Sequence, residues 1–568
     1  MRRLSFALAL VLAACGSTQT PAPVAVAPTP APDADAGAAT PPPPRVAVPT
    51  PGPARDVHLP PVRATTLGNG LAVQLVEYHT LPVLHLRLVV RAGSSTDPAN
   101  LPGLASLTGD MLREGTTTRS SAQIAEAIEF VGGSLDVSTS ADVTVISVSV
   151  LRDHAETALT LLADVLARPT FPQVEINKLK RRETDRLQQS RNDPGWLTQR
   201  AFYEGLYGTT HPYGRFDTTP AVLARVTRAD FMAFHRARYV AGNMFLTAVG
   251  DVQPAAFDAL LNRTLGTLRR GTAPVVAVPA VPARTARQIV LVDRPESAQS
   301  AIRIGNVSLR RADPDWVPFT VANQILGGGV SSRLFMDLRE LRSLSYGVYA
   351  RMGANVGESQ WFAGGQVRNA VTGDALHALF RHMECLTTEA APEPELAMTR
   401  SYLTDSFPLT IETPGNVADL VSSMRIFGLP ADYYDTLRAR VTAVDAAASL
   451  ATARRYIQPD RALVVVVGTA SAPVQVGPPC AAAGALPADA TFARQLQACQ
   501  AQGPAATPRA TQPLEEVLRT FGPVRVVGLD GRTLRELTAT SPSTPPIHAR
   551  CEELATPALQ AVAHAGQD

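Results

Sequence analysis

Short stretches in which apolar and polar residues alternate begin near residue 63. Residues 71–77 and 83–91 have the two-residue period of half-buried strands, and polar residues separate them. Two further strands are predicted at 133–138 and 142–151. Segments with the period of amphipathic helices are predicted at 103–113, 121–131, 154–167 and 174–191. Hairpins combined with helices, rather than a repeating β-α-β unit, indicate an α+β fold.

The second half of the chain repeats the plan of the first half. A helix, an Arg-Tyr pair, a polar turn and an apolar strand occur around Tyr239 and again around Tyr456. Such a repeat indicates two copies of one domain. We expect two tandem homologous domains, each a mixed or antiparallel sheet packed with helices. Their predicted bounds are 61–270 and 287–470, with a Pro/Ala/Val-rich linker at 271–286.

Composition limits the classes of partner. The 568 residues include 52 Lys and Arg against 50 Asp and Glu, which gives a formal charge of +2. Because this balance provides no strong field, we expect no nucleic-acid partner. The Ala/Pro-rich tail, 471–568, is predicted to contain a small appended domain with a helix near 514–520 and a hairpin turn at Asp530-Gly531.

The first residues have the pattern of an export signal. An apolar run at 4–14 follows two arginines and is too short to span a membrane as a helix. The sequence Leu-Ala-Ala-Cys15 at its end resembles the lipobox of bacterial lipoproteins. This predicts a signal peptide at 1–14, lipidation of Cys15, and a Pro/Ala-rich tether at 15–60. The folded part would then face the periplasm of a bacterial cell envelope and contact the membrane through its lipid alone. An ordinary cleaved signal with a chance cysteine is the alternative.

Four cysteines remain when Cys15 is set aside. Cys480 and Cys499 bracket a loop of the tail, and we predict that they form a disulfide, although four cysteines allow three connectivities.

A set of motifs resembles a known family. The motifs are Gly103-Leu-Ala, Leu112-Arg-Glu-Gly-Thr, His211-Pro-Tyr-Gly, Leu326-Gly-Gly-Gly-Val-Ser-Ser-Arg-Leu and Leu338-Arg-Glu-Leu-Arg-Ser-Leu-Ser-Tyr. Together they resemble the pitrilysin/insulinase family of zinc metallopeptidases, in particular its half-size members similar to the mitochondrial processing peptidase. The resemblance covers residues 63–470 and implies half of a clamshell peptidase chamber.

In that family a helix of the first domain carries H-x-x-E-H, in which two histidines bind zinc and the glutamate takes a proton from the metal-bound water. Here the motif falls on residues 106–110, where Ser106 and Asp110 replace the histidines and Gly109 replaces the base. The region of the family's more distant glutamate ligand contains Glu183 and Asp185. None of the ten histidines are three or four residues apart. We therefore predict no metal or other cofactor in this chain.

The second domain retains the family's substrate-binding pair. In the family, an arginine and a tyrosine seven residues later hold the substrate backbone and stabilise the oxyanion. The matching residues are Arg339 and Tyr346. Spacing alone favours a different interpretation, in which Arg339 is a helix-surface cation paired with Glu340 or Asp337 and Tyr346 begins a strand with a buried face.

These features predict a non-catalytic subunit of an insulinase-family metalloendopeptidase. It would form a heterodimer with a zinc-bearing partner, supply Arg339 and Tyr346, and act on unfolded periplasmic peptides. Two alternatives remain. One is a scaffold or binding protein of an envelope complex. The other is a divergent active metallopeptidase in which Asp110 and Glu183 or Asp185 form an all-oxygen metal site.

Overall fold

The computed structural model describes residues 58–275, 277–478, 483, 494, 497–499, 501, 509–540 and 551–556. The predicted signal peptide, Cys15 and nearly all of the predicted tether lie outside the described residues, as does Cys480. Two sheets with packed helices account for most of the described chain. The predicted fold class, two tandem α+β domains, is confirmed.

Six strands form the first sheet, and they are β1 Val62–Thr66, β2 Ala72–Glu77, β3 Val83–Val90, β4 Ser134–Thr139, β5 Thr144–Leu151 and β6 Met244–Gly250. Their order across the sheet is β1-β2-β6-β3-β5-β4. Strand β6 is parallel to β2 and antiparallel to β3. The four strands predicted in the first 151 residues are confirmed to within two residues.

Seven strands form the second sheet, and they are β7 Gln288–Asp293, β8 Gln299–Val307, β9 Ser345–Met352, β10 Gln360–Arg368, β11 Leu463–Gly468, β14 Val524–Val527 and β15 Thr533–Leu537. A separate hairpin consists of β12 Pro473–Gln475 and β13 Thr511–Pro513. The order is β15-β14-β7-β11-β8-β10-β9. Strand β11 lies between parallel β7 and antiparallel β8, as β6 lies between β2 and β3. The predicted duplication is therefore present in the topology.

Strands of the tail complete the second sheet. Strand β14 runs parallel to β7, with Val524 opposite Ile289, and the chain turns at Gly531 into β15. The predicted hairpin is confirmed. Because Val524 and Val526 are buried in the core of the second sheet, these strands extend that sheet instead of forming a separate small domain.

Helices cover both sheets. They are α1 Leu104–Met111, α2 Ser121–Glu129, α3 Ala155–Ala167, α4 Gln173–Ser190, α5 Pro194–Tyr207, α6 Pro220–Arg225, α7 Arg228–Arg238, α8 Pro254–Arg263, α9 Trp316–Asn323, α10 Arg333–Phe335, α11 Thr372–Thr388, α12 Glu393–Asp405, α13 Pro414–Phe427, α14 Leu437–Thr442, α15 Ala446–Tyr456 and α16 Leu514–Arg519. Within the described ranges, none of them combines the length and apolarity required to cross a bilayer.

One face of each sheet is covered by a helix from the other domain. Helix α5 of the first domain places Phe202 against the second sheet, in one apolar cluster with Val465. Helix α13 of the second domain places Val421 against the first sheet, in one cluster with Val249. Since each domain buries apolar surface on the other, the two domains share their cores.

Candidate functional site

Helix α1 carries Ser106, Gly109 and Asp110, the residues that the family resemblance aligns with the zinc motif. The buried carboxylate of Asp97 begins this helix by accepting hydrogen bonds from the backbone N–H groups of Gly103, at 2.6 Å, and Ala105, at 2.7 Å. Burial raises the pKa of Asp97 to about 7, although both hydrogen bonds oppose the change. Gly103 has φ 90°, a left-handed conformation that favours glycine.

Gly109 lies where α1 contacts the first sheet. A β-carbon at this position would be 3.1 Å from both Thr139 Oγ1 and Val137 Cγ1. A side chain here would require these two neighbours to move by a few tenths of an ångström, so the glycine permits close packing of α1 on β4. Ser106 is exposed and lies elsewhere on the helix surface.

Asp110 lies close enough to Glu183 of α4 for their charges to interact. Burial and the negative charge of Glu183 raise the pKa of Asp110. Glu183 accepts a 2.6 Å hydrogen bond from Arg186, and the same guanidinium donates to both oxygens of Asp217 at 2.9 and 3.0 Å. Asp185 is exposed. Arg186 therefore pairs with two of the carboxylates in this region, Glu183 and Asp217.

These residues do not fit the family's zinc ion. Catalytic zinc sites use three protein ligands, usually including imidazole, and Ser106, Gly109 and Asp110 provide one carboxylate between them. In the part of the chain that the structure describes, no three His, Cys, Asp or Glu side chains are grouped so that they could hold a metal ion. We therefore derive no catalytic step through a metal on this chain.

In the second domain the structure brings Arg339 and Tyr346 together. Helix α10 continues as a π-helical turn over Met336–Leu341, which carries Arg339. The guanidinium carbon of Arg339 lies 4.9 Å from the ring centroid of Tyr346 and 4.7 Å from that of Phe335. The side chain of Arg339 is 37% exposed and Tyr346 is 87% exposed, so both can reach a ligand.

The structure also agrees with part of the alternative interpretation, in which Arg339 is a surface cation and Tyr346 begins a strand. Arg339 lies 3.3 Å from Glu340, which is a surface ion pair. Tyr346 lies in β9, whose core face is buried at Val348 and Ala350. Tyr346 remains exposed because it precedes these core positions at the beginning of the strand.

The stack of aromatic and guanidinium groups is longer than the predicted pair. The Phe335 ring is 5.9 Å from the Tyr349 ring, and the guanidinium of Arg351 lies 4.7 Å from the same Tyr349 ring. Arg351 also donates a 3.3 Å hydrogen bond to the carbonyl of Gly328. Sequence reasoning missed these residues, and the alternation of aromatic residues and arginines around Tyr346 is the signal that could have found them.

Buried ion pairs fix the helix that carries Arg339. Arg333 donates two hydrogen bonds to Glu395 of α12, at 2.9 and 2.6 Å. Asp337 accepts 2.8 Å and 2.7 Å hydrogen bonds from His382 of α11 and from Arg342. Burial alone would raise the pKa of Asp337, but Arg342 and His382 outweigh it and hold that pKa well below its usual range.

Two further features concern His211 and the cysteines. His211 Nδ1 accepts a 3.1 Å hydrogen bond from the backbone N–H of Tyr213 and so caps the turn of the His211-Pro-Tyr-Gly motif. Cys385 of α11 is bonded to Cys551, a pairing that the sequence did not predict. The predicted disulfide of Cys499 involves Cys480, which lies outside the described residues.

Two family models match this chain. "Insulinase (Peptidase family M16)" matches residues 73–207, and "Peptidase M16 inactive domain" matches residues 225–403. The first match contains α1 and Glu183, and the second contains Arg339 and Tyr346. Together the two matches cover more than half of the chain. The chain belongs to the insulinase family.

The names of two bacterial relatives imply different activities. An uncharacterised zinc protease of Mycobacterium tuberculosis is 31% identical over 296 residues, which cover 51% of this chain and 66% of that protein. A non-peptidase homologue of Helicobacter pylori, YmxG, is 24% identical over 364 residues, which cover 64% of this chain and 83% of that protein. Each match leaves part of both chains uncovered.

Two crystal structures are similar in fold. A peptidase M16 inactive domain from Pseudomonas fluorescens matches with a TM-score of 0.68 and 27% identity, over 72% of this chain and 98% of that one. A protease from Helicobacter pylori matches with a TM-score of 0.65 and 18% identity, over 72% of this chain and 100% of that one.

Proposed function

We propose that this chain is the zinc-less, substrate-binding subunit of an insulinase-family metalloendopeptidase. It forms a heterodimer with a zinc-bearing member of the family and contributes Arg339 and Tyr346 to the cleavage of unfolded peptides. The observation that carries the proposal is a contrast between the two domains. Arg339, on a helix attached by buried ion pairs, contacts the exposed Tyr346 of β9, whereas α1 lacks the donors for zinc.

The chemistry of the two side chains suits substrate binding. Arg339 presents N–H donors and a permanent positive charge, and Tyr346 presents a hydroxyl that can donate a hydrogen bond. Both can bind a peptide carbonyl and stabilise negative charge that develops on its oxygen. Because Arg339 stacks on Phe335 and Tyr346, its guanidinium is oriented before a peptide arrives.

The comparisons support a non-catalytic role. The model matching residues 225–403 describes an inactive domain, and the Helicobacter pylori relative is named a non-peptidase homologue. The expected location in the bacterial envelope rests on the apolar run at 4–14 and on Cys15. In this proposal the membrane is contacted through the lipid on Cys15 alone.

The test reconstitutes the full chain with a zinc-bearing family member of the same envelope and follows cleavage of an unstructured fluorogenic peptide. We expect the cleavage rate of either protein alone to be lower than that of the pair. Arg339→Ala should reduce the cleavage rate of the pair about 100- to 1,000-fold without loss of assembly. Lys178→Ala removes an exposed cation of the first domain and is the matched control.

Two results would reject this function. One is an undiminished rate with Arg339→Ala in an assembled pair. The other is one tightly bound zinc per chain together with cleavage by this chain alone. A stable partner that itself lacks H-x-x-E-H would instead indicate the scaffold role.

A further inference from the structure

A segment outside both family matches contacts the helix system behind Arg339. We call residues 333–341 the Arg339 helix and residues 551–556 the 551–556 segment. Thr556 is 1% exposed and donates two hydrogen bonds to Glu395 Oε1, from its backbone N–H at 2.9 Å and from its hydroxyl at 3.0 Å. The same carboxylate holds Arg333, at the beginning of the Arg339 helix.

The other end of the segment is attached to α11. Cys551 forms a disulfide with Cys385, and Cys385 and Leu554 pack in one buried cluster with Cys551. One turn earlier in α11, His382 binds Asp337 of the Arg339 helix. Both His382 and Cys385 are completely buried.

These contacts form a closed ring. Arg333 of the Arg339 helix binds Glu395, and Glu395 accepts hydrogen bonds from Thr556. At the other end of the 551–556 segment, the disulfide of Cys551 connects it to α11. His382 of α11 then binds Asp337, which returns the path to the Arg339 helix. Arg339 lies two residues after Asp337, on the exposed side of the same helix.

We propose that the 551–556 segment is a positioning element for Arg339 and Tyr346, and that the Cys385–Cys551 disulfide keeps it in place. Thr556 supplies two of the donors to Glu395, so its departure would leave a buried carboxylate with Arg333 as the remaining partner that the described contacts show. Buried charges that lose donors rearrange or admit water. The Arg339 helix would then be held less firmly at Arg333, one of the two ion-paired positions that attach it.

The disulfide matters because the cross-linked residues are 166 positions apart. Without the bond, the segment must find Glu395 at the entropic cost of closing a long loop. Dithiothreitol transfers two electrons and two protons to the bond, which gives two cysteine thiols and the cyclic disulfide of the reagent. The order of the Arg339 helix therefore depends on whether Cys385 and Cys551 are oxidised to the disulfide.

This inference deepens the proposed function, and its consequence for peptide cleavage rests on that function. The positioning of the Arg339 helix by the 551–556 segment does not depend on that function. The first measurement is therefore amide hydrogen exchange of the full chain. We expect exchange over 333–346 to accelerate about tenfold or more in Cys385→Ser/Cys551→Ser and in Thr556→Val, with exchange over α1 unchanged.

Three controls separate positioning from general destabilisation. Thr556→Ser retains both donors and should restore wild-type exchange. Asp374→Asn breaks a different attachment of the tail to α11, the pair with Arg509, and should leave 333–346 unchanged. Dithiothreitol should accelerate exchange over 333–346 in the wild type and have no further effect there in the double serine variant.

The second measurement follows peptide cleavage by the reconstituted pair. We expect Thr556→Val to raise KM or lower kcat at least about threefold, and Thr556→Ser to restore the wild-type value. Unchanged exchange over 333–346 in both Thr556→Val and the double serine variant would overturn the inference. If the double serine variant does not fold, the comparison of exchange over 333–346 between Thr556→Val and Thr556→Ser tests the inference by itself. Altered exchange with no cleavage by the wild-type pair would support the positioning role and reject the proposed function.

Discussion

Arg333 and Glu395 form a nearly inaccessible ion pair, with side chains 3% and 1% exposed. Such a pair contributes little net stability relative to apolar residues, but removal of one partner leaves an uncompensated charge. The bidentate contact of Arg333 with Glu395 orients the first turn of the helix that carries Arg339.

Glu395→Gln should therefore destabilise the protein. We expect a loss of about 3–5 kcal/mol, because the guanidinium of Arg333 remains buried without a counter-charge. Urea unfolding of the purified chain measures the change. Glu393→Gln, on the exposed part of the same helix, should change stability by about 0.5 kcal/mol or less. Equal effects of the two substitutions would contradict the importance of the buried pair.

His235 provides a pH-dependent contribution to stability. Its ring lies between Phe171 and Tyr239, its Nε2 donates to the carbonyl of Leu166, and burial lowers its pKa to about 4. Between pH 6.5 and 4 the unfolded chain binds this proton and the folded chain does not. Folding stability from this group is thus present above pH 6.5 and is lost as the pH falls to about 4.

We expect His235 to account for at most about 3 kcal/mol of acid destabilisation in that window. His235→Gln retains an N–H donor and cannot titrate, so its unfolding free energy should fall less between pH 6.5 and 4 than that of the wild type. The unfolding free energies of both proteins are measured by urea unfolding at each pH. If they fall equally between pH 6.5 and 4, the lowered pKa of His235 in the folded state is contradicted.

At the level of elements, α1 combines a capped beginning with a close contact in its middle. Asp97 supplies the cap, and Gly109 permits the helix to approach β4. The glycine costs the helix about 1 kcal/mol relative to alanine, which the close packing can offset. The glycine is thus accommodated by the packing of this helix.

Restoring the family's glutamate at this position should damage the fold. We expect Gly109→Glu to destabilise the protein by about 1–3 kcal/mol, because its β-carbon would press on Thr139 and Val137. Thermal unfolding provides the measurement. Ser106→Ala, at an exposed position of α1, should have an effect within about 0.5 kcal/mol. A variant Gly109→Glu that is as stable as the wild type would show that α1 is not tightly packed there.

At the level of the whole molecule, the two domains are joined because each contributes a helix that covers the sheet of the other. Phe202 is completely buried, and it belongs to a segment of the first domain that packs on the second sheet. Helix α13 makes the reverse contact. A domain that loses its partner would expose an apolar sheet face, so the two should unfold together.

Phe202→Ala should test this coupling. We expect a loss of about 3–5 kcal/mol and one unfolding transition, seen at the same urea concentration by circular dichroism and by tryptophan fluorescence. Phe130→Ala removes a ring that is 89% exposed and should be nearly neutral. Two separate transitions in the wild type would contradict shared cores.

Local pattern predicted strands β2 to β5 and helices α1 to α4 of the first domain well, because their alternation and capping signals lie within a few residues. It gave no prediction for β1 or for α5, α6 and α8. It did not predict that β14 would pair with β7, since this contact joins segments more than two hundred residues apart. The Cys385–Cys551 pairing was missed for the same reason, because cysteine spacing does not fix connectivity.

The sequence by itself determined the duplicated α+β plan, which follows from short-range periodicity. The resemblance to the insulinase family, which rests on the identity of residues in its motifs, singled out Ser106, Gly109 and Asp110 and the pair Arg339 and Tyr346. The tertiary structure alone decided that Arg186 pairs with Asp217 of a different segment and that Thr556 reaches Glu395 behind the helix of Arg339. Contacts of this kind depend on how distant segments pack, and packing is a property of the whole chain.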